Sequence, residues 1–270
     1  MANRTVSELC IYPIKSCRGI DAQQALLDQR GFKFDRRWMI ADQSGKTLTQ
    51  REYPRLSLIL VEQTADGLTL DAPGMPALRI PLMLKSKPIF QVDIWGDAVG
   101  AMQAEKSSGD WISSFLGVSC QFVYMPDDSF RRIDPRYAIQ NAQASFVDAF
   151  PILLISEASL ADLNSRLQSP LPMNRFRPNI VVAGCTPYEE DSWKRIQIGS
   201  INIHVVKPCI RCATTIVDQL TGIRGKEPLQ TLATYRNNNG EVWFGQNLIH
   251  ENLGELHVGD VVTVLASKIP

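Results

Sequence analysis

Two thiols and two cations meet in the stretch Lys207-Pro208-Cys209-Ile210-Arg211-Cys212, which Ala213-Thr214-Thr215 follows. The alternating run Ile201-Asn202-Ile203-His204-Val205-Val206 before it reads as a half-buried strand, so the thiols arrive at a strand end. Pro208 has no N–H to donate and should stop the ladder there. Fixed positive charge beside a thiol favours the thiolate, which is both a nucleophile and a metal ligand. Three readings of this Cys-x-x-Cys pair stand side by side. Structural zinc needs a second pair at ligand spacing; Cys10, Cys17, Cys120 and Cys185 do not form one, and His204, His250 and His257 are scattered. A thiol–disulfide exchange pair wants a helix start after it, whereas Ala213 to Asp218 is β-branched and strand-like. Inert core thiols are common, but Lys207 and Arg211 argue against full burial. The sequence has no Ser/His/Asp set, Walker loop, Gly-x-Gly-x-x-Gly turn or plant-type iron–sulfur spacing. Redox chemistry would therefore draw its electrons from another protein.

Other cations sit where the chain turns. Lys15-Ser16-Cys17-Arg18-Gly19 combines two cations with a hydroxyl and a thiol in one loop. It reads as an anion grip or as a polar turn. Arg36 and Arg37 are adjacent, so in a strand they point to opposite faces. One of them turned inward needs Asp35 or a ligand phosphate as partner; the other reading is a solvated edge. Gln50-Arg51-Glu52-Tyr53-Pro54-Arg55 brings further arginines before a strand at Leu58 to Val61. Pro178 should hold Arg177 extended, where it could clamp a phosphate or pair with Asp148 or Glu189.

The elements that must position these groups are mostly short strands. They are expected at Val6 to Ile14, Trp38 to Ala41, Val118 to Tyr124, Pro151 to Ile155, Ile180 to Ala183, Val242 to Ile249 and Leu256 to Leu265. Ser108 to Leu116 has the apolar spacing of a short helix, and Gly117 suits its C-terminal cap. Ser156 can cap a helix through Asn164, and Leu229 to Tyr235 reads as another. Asn237-Asn238-Asn239-Gly240 is a tight turn, and Gly245 within a strand predicts a close backbone approach. Pro126 to Arg132 reads as a linker or mobile loop between two domains. The 270 residues are 44% hydrophobic and 21% charged with zero net charge, which fits real cores and argues against a general nucleic-acid binder. No apolar run approaches the ~18 residues of a membrane helix, and the N-terminus lacks a signal pattern. A cytoplasmic protein with reduced thiols, no membrane partner and no nucleic-acid partner is expected.

In combination these pieces resemble the MOSC family of molybdenum-cofactor proteins. The likeness is strongest to the mitochondrial amidoxime-reducing component and its bacterial relatives. The matching segments are Tyr12-Pro13-Ile14-Lys15-Ser16-Cys17-Arg18-Gly19, Asp35-Arg36-Arg37-Trp38, Ser156 to Asn164, Phe176-Arg177-Pro178-Asn179-Ile180, Asp191-Ser192-Trp193, Cys209-Ile210-Arg211-Cys212, Thr214 to Asp218, Lys226-Glu227-Pro228-Leu229 and Phe244-Gly245-Gln246. The resemblance implies a mainly β fold with some α: an N-terminal β domain over 1–125, then a MOSC β-barrel over 126–270 with short peripheral helices. It implies a molybdenum–molybdopterin cofactor with Cys212 as the thiolate ligand of the metal. Lys15, Ser16, Arg36, Arg177 and Arg211 match positions that hold the pterin's phosphate and ring edges. Thr214, Thr215 and Asn247 are further cofactor-binding candidates; Asp148 and Asn179 join Cys212 as catalytic ones. Cys185 matches a family cysteine that is not a ligand. Ile210 stands where relatives carry a hydroxyl, and Asn247 where an aromatic is frequent, so substrate preference should differ. The implied activity is reduction of N-hydroxylated or N-oxide compounds, with electrons from a ferredoxin-, flavin- or cytochrome-type protein. The alternative is a cofactor carrier or a sulfur carrier without turnover.

Overall fold

Ile201–Ile210 and Glu241–His250 are the two longest strands, and they pair antiparallel in the middle of a nine-stranded sheet. Their inward residues Ile203, Val205 and Leu248 are buried with Leu154, Ile180, Val182, Trp193 and Ile196, as alternating patterns require. The sheet runs from Val262–Ser267 through Trp193–Ile198, the two long strands, Ile152–Ser156 and Ile180–Ala183 to Thr5–Ile11 and Ile20–Ala22. It closes on itself at the start of Thr5–Ile11, where Val262 N–H donates to Arg4 O at 2.8 Å and Val6 N–H to Asp260 O at 2.9 Å, with Ile20–Ala22 left outside the closure. That closure removes the open edge and makes a barrel. Thr5–Ile11 and Ile20–Ala22 lie within the expected first domain, yet hydrogen bond into this sheet. The computed structural model describes residues 3–137, 139 and 142–268. The chain is mainly β with a few short helices.

The intervening chain builds a second β body. Trp38–Asp42, Cys120–Tyr124, Asp97–Gln103 and Ile89–Ile94 form one sheet, and Leu60–Gln63, Gly67–Asp71 and Leu78–Pro81 another. The helix Lys106–Leu116 covers them with Trp111, Ile112 and Phe115 buried, and Gly117 caps it at φ 73°. No helix among the described residues is long and apolar enough to cross a membrane.

Several local expectations are met. Ser156 Oγ accepts from Ser159 N–H at 3.0 Å and caps the helix Glu157–Ser165. Asn239 and Gly240 make a hairpin turn with φ 52° and 87°. A Cβ on Gly245 would lie 2.7 Å from Ile155 Cγ1 and 2.9 Å from Leu154 O, so only glycine lets these strands approach. Others fail. The first strand ends at Ile11, and the helix at Leu229 covers only Leu229–Leu232. Pro208 does not stop the ladder; it sits opposite Gln246 beside a register shift, where no N–H is required. Ala213–Ile216 is a 3-10 turn rather than a strand. The hydroxyl of Thr215 donates to Cys212 O at 2.9 Å, and that bond competes with strand formation. The 126–132 segment is pinned by Arg131, which is buried and bonded to Asp97, Ser145 and Val147.

Candidate functional site

Where the long strand ends, one cleft opens between the barrel and the second β body. It measures about 800 Å³ including its open mouth, within the range of small-molecule sites. Every residue expected at the site, from Lys15 to Asn247, borders it.

Cys212 stands before the 3-10 turn Ala213–Ile216, and the Thr215 N–H donates to its carbonyl at 3.0 Å. That turn directs the sulfur into the cleft rather than into the ladder. Thr214 Oγ1 lies 3.4 Å from Sγ, and Arg51 Nε donates to Sγ at 3.2 Å. Cys209 also borders the cleft, but Arg211 Nη1 donates to its sulfur at 2.9 Å, and burial outweighs that guanidinium and raises its pKa. The two thiols of the pair thus have different surroundings. Cys17 is fully buried and pushed up to about 12, which makes it inert. Cys185 lies outside the cleft.

Basic groups line the remaining walls. Lys15 Nζ donates to Phe146 O at 2.8 Å and Asp148 Oδ1 at 2.6 Å. Burial depresses its pKa by more than Asp148 restores. Arg36 Nη1 bonds Asp35 Oδ2 at 2.6 Å and Asn179 Oδ1 at 3.1 Å. Arg177 is buried, and among the described residues its one acceptor is Cys17 O at 2.6 Å and no carboxylate pairs with it. The expected partners are elsewhere, Asp148 on Lys15 and Arg51, and Glu189 on Arg4. Nor is Arg177 extended, since its φ is 57°. It follows the 3-10 turn Met173–Arg175, and its N–H donates to Asn174 O, so the turn overrides the effect of Pro178. Arg211 Nη2 donates to Phe176 O at 2.6 Å, while its buried Nε has no partner among the described residues.

Arg18 drops out of the anion grip, because its guanidinium is bonded to Ser57 O and Gln219 O. Of the eight non-glycine residues described at positive φ, Ser16, Arg36, Trp95 and Arg177 border the cleft. Each such residue costs on the order of 1 kcal/mol, so backbone strain is concentrated at the site.

Asp148 marks the mouth. Its side chain is 59% exposed, and it accepts from Lys15, Arg51 and Trp95. Desolvation pushes its pKa up, but Lys15 and then Arg51 hold it well below the usual carboxylate range. Asn179 spends its amide on Arg36, Leu153 N–H, Cys10 O and Asp35. It therefore orients Arg36 and Asp35 and presents little to a reactant. Asn247 Nδ2 donates to Pro208 O at 3.3 Å, and Ser16 Oγ accepts from Gln50 N–H at 3.3 Å.

Sequence reasoning missed Arg51 and Trp95. The Arg51 guanidinium lies over the Trp95 ring, 4.3 Å from its centroid, while bonding both Cys212 and Asp148. Its contact with Cys212 spans 161 residues. Its sequence signal was merely an arginine after a glutamine.

Residues 3–119 match the MOSC N-terminal beta barrel domain and residues 141–263 the MOSC domain. The chain is 38% identical to mitochondrial amidoxime-reducing component 1 of Mus musculus, over 97% of this chain and 82% of that one. It is 38% identical to component 2 of Rattus norvegicus, over 96% and 82%. It is 36% identical to component 1 of Homo sapiens, over 97% and 83%.

Proposed function

This chain belongs to the MOSC-domain family that includes the mitochondrial amidoxime-reducing components, and from that premise we propose that it reduces N-hydroxylated compounds with a molybdenum cofactor. The observation that carries the reading is a sulfur, Cys212, facing a cleft bordered by Lys15, Arg36, Arg51, Arg177 and Arg211. Asp35 and Asp148 are the carboxylates that meet these cations. A buried cation without a counter-ion is costly. Arg177, with no carboxylate partner among the described residues, and the depressed Lys15 ask for an anion with several oxygens. A pterin phosphate supplies that anion, and a thiolate is a soft ligand suited to molybdenum. When bound, the cofactor would supply two-electron transfer and accept the substrate oxygen.

The chain's own groups divide the remaining work. Arg36 and Arg177 bind the phosphate, with Lys15 beside them. Arg51 donates to the Cys212 sulfur and fixes its direction. Asp148, ionised at neutral pH, holds Lys15 and Arg51 in place at the mouth where substrate enters. Electrons come from a separate ferredoxin-, flavin- or cytochrome-type protein. The test is metal analysis of protein from a molybdenum-replete host, with benzamidoxime reduction driven by a reconstituted donor. Molybdenum close to stoichiometric is expected, and Cys212→Ala should abolish turnover. Wild-type protein without molybdenum, or a Cys212→Ala variant as active as wild type, sinks the reading.

A further inference from the structure

Two like-charged guanidiniums of the cleft are carried by one buried ring. Arg36 Cζ and Arg177 Cζ lie over the Tyr12 ring, 4.1 and 4.3 Å from its centroid. Tyr12 is 3% exposed and is not among the residues bordering the cleft. Its backbone serves the same pair: Arg36 N–H donates to Tyr12 O at 2.6 Å, and Tyr12 N–H donates to Asp35 Oδ1 at 2.8 Å. Asp35 in turn accepts from Arg36. Arg36 Nη2 donates to Arg177 O at 3.3 Å, which couples the two arginines directly. Gly19 makes room for the ring, since a Cβ there would lie 2.6 Å from Tyr12 Cε1.

From this geometry we infer that Tyr12 is a positioning residue, whose electron-rich ring holds Arg36 and Arg177 together as one anion-binding fork. Two cations on one ring repel each other. An aromatic face attracts both without neutralising either. Asp35 already meets Arg36, and a second carboxylate in the ring's place would also consume the charge that Arg177 offers to a ligand. The ring therefore keeps the donors aligned and leaves the charge of Arg177 available. Tyr12 acts through the arginines and touches no ligand itself.

The inference rests on the anion-binding half of the proposed function and is independent of its redox half. The probe is inorganic phosphate, titrated into the full-length chain purified without cofactor and followed by calorimetry. Tyr12→Phe should bind within about twofold of wild type. Pentafluorophenylalanine at position 12 keeps the shape but reverses the charge of the face, and should weaken binding about fivefold relative to Phe. Tyr12→Met, apolar and without a π face, should weaken it comparably. In an Arg36→Gln/Arg177→Gln background the ring changes should have no further effect. The inference is overturned if wild type binds no phosphate or if the fluorinated ring binds as tightly as Phe. It is also overturned if the ring effect persists without the arginines. Phosphate binding with this pattern in a protein that never carries molybdenum would overturn the redox reading and leave this one standing.

Discussion

Arg36 and Arg37 are sequence neighbours with side chains 12% and 4% exposed, yet only Arg36 borders the cleft. Arg37 spends its donors on Met125 O, Tyr124 Oη and Asp127 Oδ1. Arg131 likewise bonds Asp97, Ser145, Val147 and the carbonyl of Asp148. These arginines are staples: Arg37 Nε and Nη2, and every guanidinium nitrogen of Arg131, are already met by protein oxygen. Around the cleft the same residue type is left partly unsatisfied. Arg177 has one carbonyl, and Arg211 has a carbonyl, a thiol and a partnerless Nε. Arg177 is as buried as Arg37 and Arg131, so burial does not separate the two kinds. What separates them is how many donors remain for something the chain does not contain.

The comparison breaks most visibly at Arg37. Arg37→Met should destabilise the fold by about 3 kcal/mol, because buried carbonyl and hydroxyl groups lose their partner. Chemical denaturation would show this as a lower midpoint with an unchanged slope. Arg177→Gln should do the reverse. It removes a buried charge with no carboxylate, so stability should change by less than about 1 kcal/mol or rise. Molybdenum content after purification should instead fall by about tenfold or more, as expected when a charge-assisted phosphate contact is lost. If Arg177→Gln unfolds the protein while keeping its metal, the division between staple and ligand-binding arginine is wrong.

The sequence reveals much of the frame and less of the site. Ser156, Asn239-Gly240 and Gly245 act through neighbours close in sequence or through a steric rule, and the structure places each as expected. Cys212 at a strand end was also legible, because alternation up to Val206 is a local pattern. Arg177 was misjudged because a preceding turn set its φ against the usual influence of proline. The Ala213–Ile216 turn was misjudged because Thr215 bonds back to Cys212. Arg51 and Trp95 carry no periodic or motif signal; their role arises only when residues far apart are folded together. Arg18 shows the converse, since a cation in a promising loop is consumed by two carbonyls. The family resemblance, rather than spacing, gathered the other cleft residues into one expectation.

Two exposed carboxylates sharpen the contrast with a smaller effect. Asp127, 77% exposed, bonds the staple Arg37; Asp148, 59% exposed, bonds Lys15 and Arg51 of the cleft. The Arg37 hydrogen bond, aided by the charges of Arg37 and Arg30, holds Asp127 below its ordinary value. Desolvation works against Asp148, but Lys15 and Arg51 overcome it and hold it lower still. A depressed carboxyl stabilises the fold above its unfolded value near 4 and loses that contribution as pH falls toward its folded value. Asp127→Asn and Asp148→Asn should therefore each be less stable than wild type by about 1 kcal/mol or less at pH 7, given their exposure. Each gap should stay constant from pH 8 to about pH 5 and narrow below about pH 4. Melting temperatures across that range check the sign, and a gap that widens on acidification contradicts it. Metal content separates the pair. Asp148→Asn frees Lys15 and Arg51 beside Cys212 and should alter molybdenum retention, whereas Asp127→Asn should leave it unchanged. Equal retention in both variants would mean that Asp148 serves the cleft no more than Asp127 does.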